Sequence, residues 1–381
     1  MQTSQTENEI STNLLAWYAA HKRDLPWRRT RDAYAVWVSE IMLQQTTVAA
    51  VTPFYERWMA RFPTVTSLAA APLDDVLKLW AGLGYYARAR NFHKAAQQVV
   101  AEFGGVVPSD PAVIRSLPGI GRYTAGAILS IAYGADEPVV DANVIRVLCR
   151  LFAVEGDPKT STETQAALWS LATDLLPKGN AAEFNQAIME LGALVCNPAL
   201  PLCWECPLVT NCAALAAGSP MRYPKFQKRD QWVQLDDVAV AVRNARGEIM
   251  LAKRSASESL WGGLWELPRA TRVADESLAE CAVRAVRDGI GVEPMNLNPF
   301  GVVNHVVAKR KITLHGFVAD CNGAAPQPVG YEEVAWEPHA SASRYAMSTP
   351  QVRLLSELSR FDSQGRLDIF EEYVPQLDQK K

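Results

Sequence analysis

Two carboxylates, a glycine-flanked turn and four thiols are the groups in this chain best placed to do chemistry. Glu40 sits beside an apolar stripe, among Val36, Ile41 and Leu43. Most helical glutamates are solvated. One wedged between apolar neighbours at a helix end is pushed toward its neutral form, which suits a proton donor. Asp141 follows Val139-Val140 and precedes Ala142-Asn143-Val144. It can cap the helix that begins there, and the same carboxylate can act as a fixed anion. Before it, Leu117-Pro118-Gly119-Ile120-Gly121-Arg122-Tyr123-Thr124 reads as a very short turn between two helices. Gly119 and Gly121 are expected to take positive φ and to let a ligand approach the backbone. The N–H groups opening the second helix suit a phosphate. An ordinary tight turn between packed helices has the same pattern, and the carboxylate one helix length away is what favours a site. Cys196, Cys203, Cys206 and Cys212 lie close enough in sequence to wrap one metal centre. Spacing alone leaves structural zinc and an iron–sulfur cluster both open.

These groups need a scaffold, and 381 residues suffice for two domains with full cores. The chain is 49% hydrophobic and 21% charged, a soluble globular composition. Its formal charge of −3 argues neither for nor against a nucleic-acid partner. No apolar run reaches the length of a membrane span, and the polar N-terminus lacks a secretory segment. The cytoplasm is the expected compartment, where disulfides are rare. Cys149, Cys281 and Cys321 read as core.

Residues 1–9 are expected to be disordered. Ile10, Leu14, Trp17 and Tyr18 mark a first helix, and Tyr34, Trp37, Val38 and Ile41 the buried stripe of a second, capped by Asp32. Gln44-Gln45-Thr46-Thr47 ends that helix in hydrogen-bonding groups. Gly82-Leu83-Gly84-Tyr85-Tyr86 is an aromatic turn, and Arg88, Arg90 and Lys94 follow as either a solvated basic face or a DNA-facing edge. Strand alternation is absent from the first two hundred residues, so residues 10–218, including the cysteine loop 196–212, form an all-α domain. Residues 219–236 read as a basic, proline-interrupted linker. Strands at Val238–Val242, Ile249–Ala252, Val302–Val307, Ile312–Val318 and Glu333–Trp336, with a helix over Leu278–Asp288, make residues 237–365 an α+β domain. Residues 366–381 are a tail.

The combined pattern resembles the helix-hairpin-helix DNA glycosylases, and among them the MutY-type adenine DNA glycosylases. The residues carrying the resemblance are Trp27-Arg28, Ser39–Thr46, Gly82–Tyr86, Leu117–Thr124, Val139–Asn143 and the cysteine spacing. It implies an enzyme that binds double-stranded DNA as a monomer, in the cytoplasm at the nucleoid, and removes adenine mispaired with 8-oxoguanine or guanine. It favours a [4Fe–4S] cluster over zinc. Glu40 is then the acid that protonates adenine, and Asp141 the anion that stabilises the sugar cation, positioned by Tyr123 and Asn143. Trp27, Arg28, Leu43 and Gln186 are implied to line the adenine pocket. Gln45, Thr46 and Tyr85 meet the DNA where the base leaves the stack, with Arg88, Gly119 and Gly121 on its backbone. Endonuclease III-type relatives carry a lysine where Tyr123 stands. A phenol cannot form their Schiff base, so no strand-cleaving lyase step is expected.

The second domain resembles a Nudix fold, from Trp261-Gly262-Gly263-Leu264-Trp265-Glu266-Leu267-Pro268 onward. Ala270, Ala285 and Gly289 stand where that family's hydrolases need a glycine and two metal-binding glutamates, so pyrophosphatase chemistry is not expected. The domain is expected to read the 8-oxoguanine strand, through a loop whose matching positions are Val303-Asn304-His305. A bifunctional glycosylase/lyase on oxidised pyrimidines is disfavoured by Tyr123. A non-catalytic iron–sulfur DNA-binding protein leaves Glu40 and Asp141 without a purpose.

Overall fold

The computed structural model describes residues 2–226, 232–258, 260–321 and 325–372. In chain order the helices are α1 (Gln2–His21), α2 (Ala33–Leu43), α3 (Val48–Arg61), α4 (Val65–Ala69), α5 (Leu73–Trp80), α6 (Ala87–Phe103), α7 (Pro111–Ser116), α8 (Arg122–Tyr133), α9 (Ala142–Leu151), α10 (Thr162–Asp174), α11 (Ala181–Leu194), α12 (Ala213–Ala216), α13 (Leu278–Ile290) and α14 (Thr349–Glu372). The strands are β1 (Val233–Arg243), β2 (Ile249–Lys253), β3 (Trp265–Glu266), β4 (Arg269–Thr271), β5 (Pro294–Val307), β6 (Arg310–Cys321) and β7 (Glu333–Glu337). No described residue before Val233 is in a named strand. None of the described helices is long and apolar enough to cross a membrane.

The chain packs as two compact units. One comprises Met1–Ala71 with Asn91–Arg229, the other Pro72–Arg90 with Asp230–Lys381. The aromatic turn around Tyr85 therefore packs with the second unit, although it lies within the first domain in linear order. Residues 2–9 are not disordered as expected but form the first turns of α1. At the other end α14 continues through Glu372, past the expected boundary at 365. Within the expected linker, Pro220–Arg222 is a 3-10 turn and β1 begins at Val233; residues 227–231 lie outside the described residues, as do 373–381 of the expected tail.

The helical unit is built by local signals. Asp32 accepts from the Ala35 N–H at 2.7 Å and starts α2. Asp110 accepts from Ala112 and Val113 and, with Pro111, starts α7. Gly134, at φ 70°, closes α8 in the left-handed conformation that glycine adopts without strain. Behind α2 lies an aromatic core: Phe92 packs 4.7 Å from the Trp37 ring and 5.8 Å from Trp58. The indole of Trp58 donates to the Tyr34 hydroxyl, which donates to the Phe62 carbonyl. Buried aromatics whose polar ends are satisfied make a stiff wall, and α2 presents Glu40 from it.

The second unit is a sheet of order β3-β2-β1-β6-β5 between two helices. Central β1 runs parallel to β6 in the register Val238↔His315, and β5 pairs antiparallel with β6 at the edge. Cys281, Ala282, Ala285, Val286 and Ile290 of α13 cover one face, and Leu354, Leu355 and Leu358 of α14 the other. Ser277 and Glu280 cap α13 reciprocally.

Candidate active site

Helices α2, α8, α9 and α11 with the loop at Arg23–Arg28 enclose a cavity of about 1040 Å³. It brings together Trp27, Arg28, Glu40, Leu43, Gln45, Thr46, Gly121, Tyr123, Asp141, Asn143 and Gln186 from the sequence reading. Gly119 is not among its lining residues.

Glu40 is 4% exposed. Its Oε2 accepts a hydrogen bond of 2.5 Å from the Tyr123 hydroxyl. Burial raises the carboxyl to about 7; the Tyr123 hydrogen bond opposes this, the Asp141 charge adds to it and Arg28 subtracts. Tyr123 also donates to the Met189 sulfur at 3.4 Å. The expectation that Tyr123 positions Asp141 is therefore corrected. Its hydroxyl ends on Glu40, because the first turn of α8 faces α2.

Asp141 is the N-cap of α9 and also lines the cavity. Its Oδ1 accepts from the Val144 N–H at 2.7 Å and its Oδ2 from the Asn143 amide at 3.0 Å. Burial raises its carboxyl above the ordinary range, and these two donors pull it back. Arg146 holds Asn143 in turn, donating to Oδ1 at 2.8 Å and to the Gly192 and Cys196 carbonyls. Arg150, one turn further along α9, donates to the Cys196 sulfur at 3.4 Å and to the Asn197 carbonyl. One face of α9 thus supports both Asp141 and the cysteine loop.

The hairpin corrects a second expectation. Gly119 does take positive φ, 79°, and a Cβ there would stand 2.9 Å from the Asn91 Cβ. Gly121 does not: it caps α8 at φ −89°, ψ 179°, with open space where a Cβ would be. It opens a helix start that has no side-chain cap.

Gln45 and Tyr85 are both exposed and both held at positive φ, 59° and 49°. Side chains rarely adopt that conformation, and strain of this kind gathers at functional sites. Arg88 does not present a free cation. Its guanidinium donates to the Leu83 and Gly84 carbonyls and lies over the Trp80 ring, and burial lowers it to about 10. Arg90 likewise donates to the Gly262 carbonyl at 2.7 Å. The expected basic edge is absorbed in shaping the second unit, apart from exposed Lys94.

Asn304 and His305 are not in a loop. Both lie inside β5, opposite Thr313 and Ile312. Strand side chains alternate, so Asn304 is exposed on one face and His305 sits on the other, 6.0 Å from the Trp261 ring. The turn in this region is at Ala308 and Lys309. Beside His305, Arg269 pairs with buried Asp237 and packs over Trp261. A Cβ on Gly289 would come 3.1 Å from the Tyr331 ring, so any larger side chain at this position would crowd that ring.

Cys196, Cys203, Cys206 and Cys212 line one small, otherwise apolar cavity with Val195, Pro201 and Arg150. Burial, reinforced by the other thiols, raises Cys206 to about 11. Among the described residues no three His, Cys, Asp or Glu side chains form a group that could hold a single metal ion.

Sequence reading missed Glu190 and Arg23. Glu190 is 1% exposed on α11 and accepts from both Arg23 and Arg28. The available signal was a lone glutamate in the apolar run Ile188-Met189-Glu190-Leu191.

Comparison with known proteins gives three results. A family profile described as the HhH-GPD superfamily of base excision DNA repair proteins matches residues 38–173, and a NUDIX domain profile matches residues 238–357. The adenine DNA glycosylase of Homo sapiens is 39% identical over 369 residues, covering 82% of this chain and 67% of that protein. That of Mus musculus is 36% identical, covering 87% and 75%. A thermostable thymine-DNA glycosylase structure is 30% identical with a TM-score of 0.53, covering 57% of this chain and 100% of its own.

Proposed function

This chain belongs to the adenine DNA glycosylase family, and we propose that it excises adenine mispaired with 8-oxoguanine or guanine, without a lyase step. The observation that carries this reading is Glu40. It is buried, its hydrogen-bond donor is a neutral phenol, and it shares one cavity with Asp141. Adenine is a poor leaving group, and a carboxyl raised to about 7 is still an acid near neutrality. In this reading Glu40 protonates the flipped adenine at N7. Asp141, held by Asn143 and the Val144 N–H, faces the positive charge that develops on the sugar. Trp27, Arg28, Leu43 and Gln186 hold the base. The uncapped start of α8 at Gly121 takes a backbone phosphate, and Gly119 makes the turn that exposes it. Gln45 and Thr46 meet the DNA where the base leaves the stack, and Tyr85 is a further DNA contact. Tyr123 holds Glu40 and offers no amine for Schiff-base chemistry, which supports hydrolysis alone.

The four thiols fit a [4Fe–4S] cluster. They border one common cavity, which supports reading them as the ligands of one centre. Such a cluster would hold the loop 196–212 as a structural unit. For the second domain we place 8-oxoguanine recognition at the β5–β6 turn, Ala308 and Lys309, because Asn304 and His305 face opposite ways. The enzyme acts as a monomer on duplex DNA, with residues 10–218 and 237–365 as its two domains.

The test is single-turnover incubation with duplexes carrying adenine opposite 8-oxoguanine, guanine or thymine. Excision on the first two, with strand breaks appearing only after alkali, is expected. Breaks without alkali would overturn the monofunctional reading, and equal rates on all three duplexes would overturn the mispair reading.

A further inference from the structure

Glu190 has no part in the mechanism above, yet it is the most heavily hydrogen-bonded carboxylate bordering the cavity. Its Oε1 accepts from the Arg23 backbone N–H, Arg23 Nε and Arg28 Nη1, each at 2.9 Å. Its Oε2 accepts from Arg23 Nη2 at 2.6 Å and Arg28 Nη2 at 2.9 Å. Burial alone would raise this carboxyl; hydrogen bonds from Arg23 and Arg28 reverse that and hold it at about 2. It is a fixed anion. Arg28 is locked as a result: both Nη atoms are engaged, Nη1 also donates to the Arg23 carbonyl, and the guanidinium lies 5.5 Å from the centre of the Tyr18 ring.

Arg23, Arg28 and Glu190 all line the cavity that holds Glu40. A base that becomes a cation cannot tolerate two bare guanidiniums beside it. We propose that Glu190 is a positioning residue for excision: it fixes the Arg28 guanidinium against the base pocket and cancels one of the two neighbouring positive charges, so that adenine can accept its proton. This rests on the reading of the cavity as an adenine pocket.

The charged and titratable groups around Glu40 define the test. Tyr123 and Arg122 come from α8, Asp141 from the start of α9, Arg23 and Arg28 from the loop before α2, and Glu190 from α11. Glu190→Gln leaves two uncompensated cations, which favour the Glu40 carboxylate. Single-turnover excision, measured with the full chain on an adenine:8-oxoguanine duplex across a pH series, should then be slower even on the acid side, where Glu40 is fully protonated. Its midpoint should fall by about one pH unit, with a further, roughly tenfold loss above neutrality. Glu190→Asp retains the charge and should keep the wild-type midpoint. Arg23→Gln removes a cation instead and should move the midpoint the other way, which gives a readout even if Glu190→Gln does not fold. A loss that is the same at every pH, or midpoints that stay put, would overturn the inference. Absence of excision by the wild-type enzyme would overturn the proposed function and this inference together; unmoved midpoints with an active wild type would overturn this inference alone.

Discussion

Glu40 in the first unit and Glu266 in the second are the same residue buried to similar depth, 4% and 2% exposed. Glu40 receives a hydrogen bond from a neutral hydroxyl. Glu266 receives one from Arg254 at 2.7 Å and another from the Tyr331 hydroxyl at 3.2 Å, with Arg269 3.8 Å away. Asp237 beside it pairs with the same Arg269. Burial alone does not make a catalytic acid. Burial without a hydrogen-bonded cation raises the carboxyl, as at Glu40, whereas at Glu266 and Asp237 arginines are the partners. The Nudix-like unit pairs its buried Glu266 and Asp237 with arginines, as the helical unit pairs Glu190, and Glu40 alone of these four is hydrogen-bonded by a neutral hydroxyl and by no arginine.

The contrast is tested hardest at Glu40. Glu40→Gln should lower single-turnover excision roughly hundredfold or more while leaving DNA binding intact, and Asp141→Asn should do likewise. Wild-type excision should fall as pH rises through about 7, where the acid form is lost. Stability has the same sign. The folded carboxyl is raised above its unfolded value, so the folded chain binds the extra proton and its contribution fades as pH climbs through that window. Thermal melts of Glu40→Gln should lack this dependence. Wild-type rates in the variant would remove Glu40 from the chemistry.

Arg269→Ala asks the opposite question. It strands Asp237 and weakens the compensation of Glu266, so urea unfolding of the second unit should lose about 3 kcal/mol, with the pH profile of excision unmoved. Unchanged unfolding would mean the strut bears no load.

Tyr123→Phe sharpens the comparison at smaller cost. It removes the hydrogen bond that holds Glu40 down, so the pH midpoint should move up while the rate changes by less than about tenfold. A midpoint that moves down would mean that Tyr123 is not the donor.

Residue type and local spacing made Glu40, Asp141 and the cysteines legible in the sequence, because the helix stripe and the cap around each are short-range. Partners distant in sequence were not legible. Glu190 and Arg23 lie 167 residues apart, and nothing local to either names the other. Tyr123 lines the cavity, but its hydroxyl meets Glu40 rather than Asp141, since a resemblance implies a position and not a hydroxyl's target. Arg88 read as a free cation because a sequence does not show which carbonyls a turn leaves within reach. Asn304 and His305 lie in the strand that the alternation Val302–Val307 predicts; the loop is implied only by the family resemblance, and the strand runs through the matching positions.

The alternation along β5 has one more consequence. Val303, His305 and Val307 form one row, Val302, Asn304 and Val306 the other, and each is locked to its partner on β6. Inserting or deleting a single residue within the strand would exchange the rows, sending valines of the core face into water. Along Val302–Val307, where the register is unbroken, a change in length is therefore costly, and the ladder ends at Ala308 and Lys309. That fingertip can be lengthened or shortened one residue at a time, while the unbroken ladder behind it, Val302–Val307, changes most cheaply by substitution.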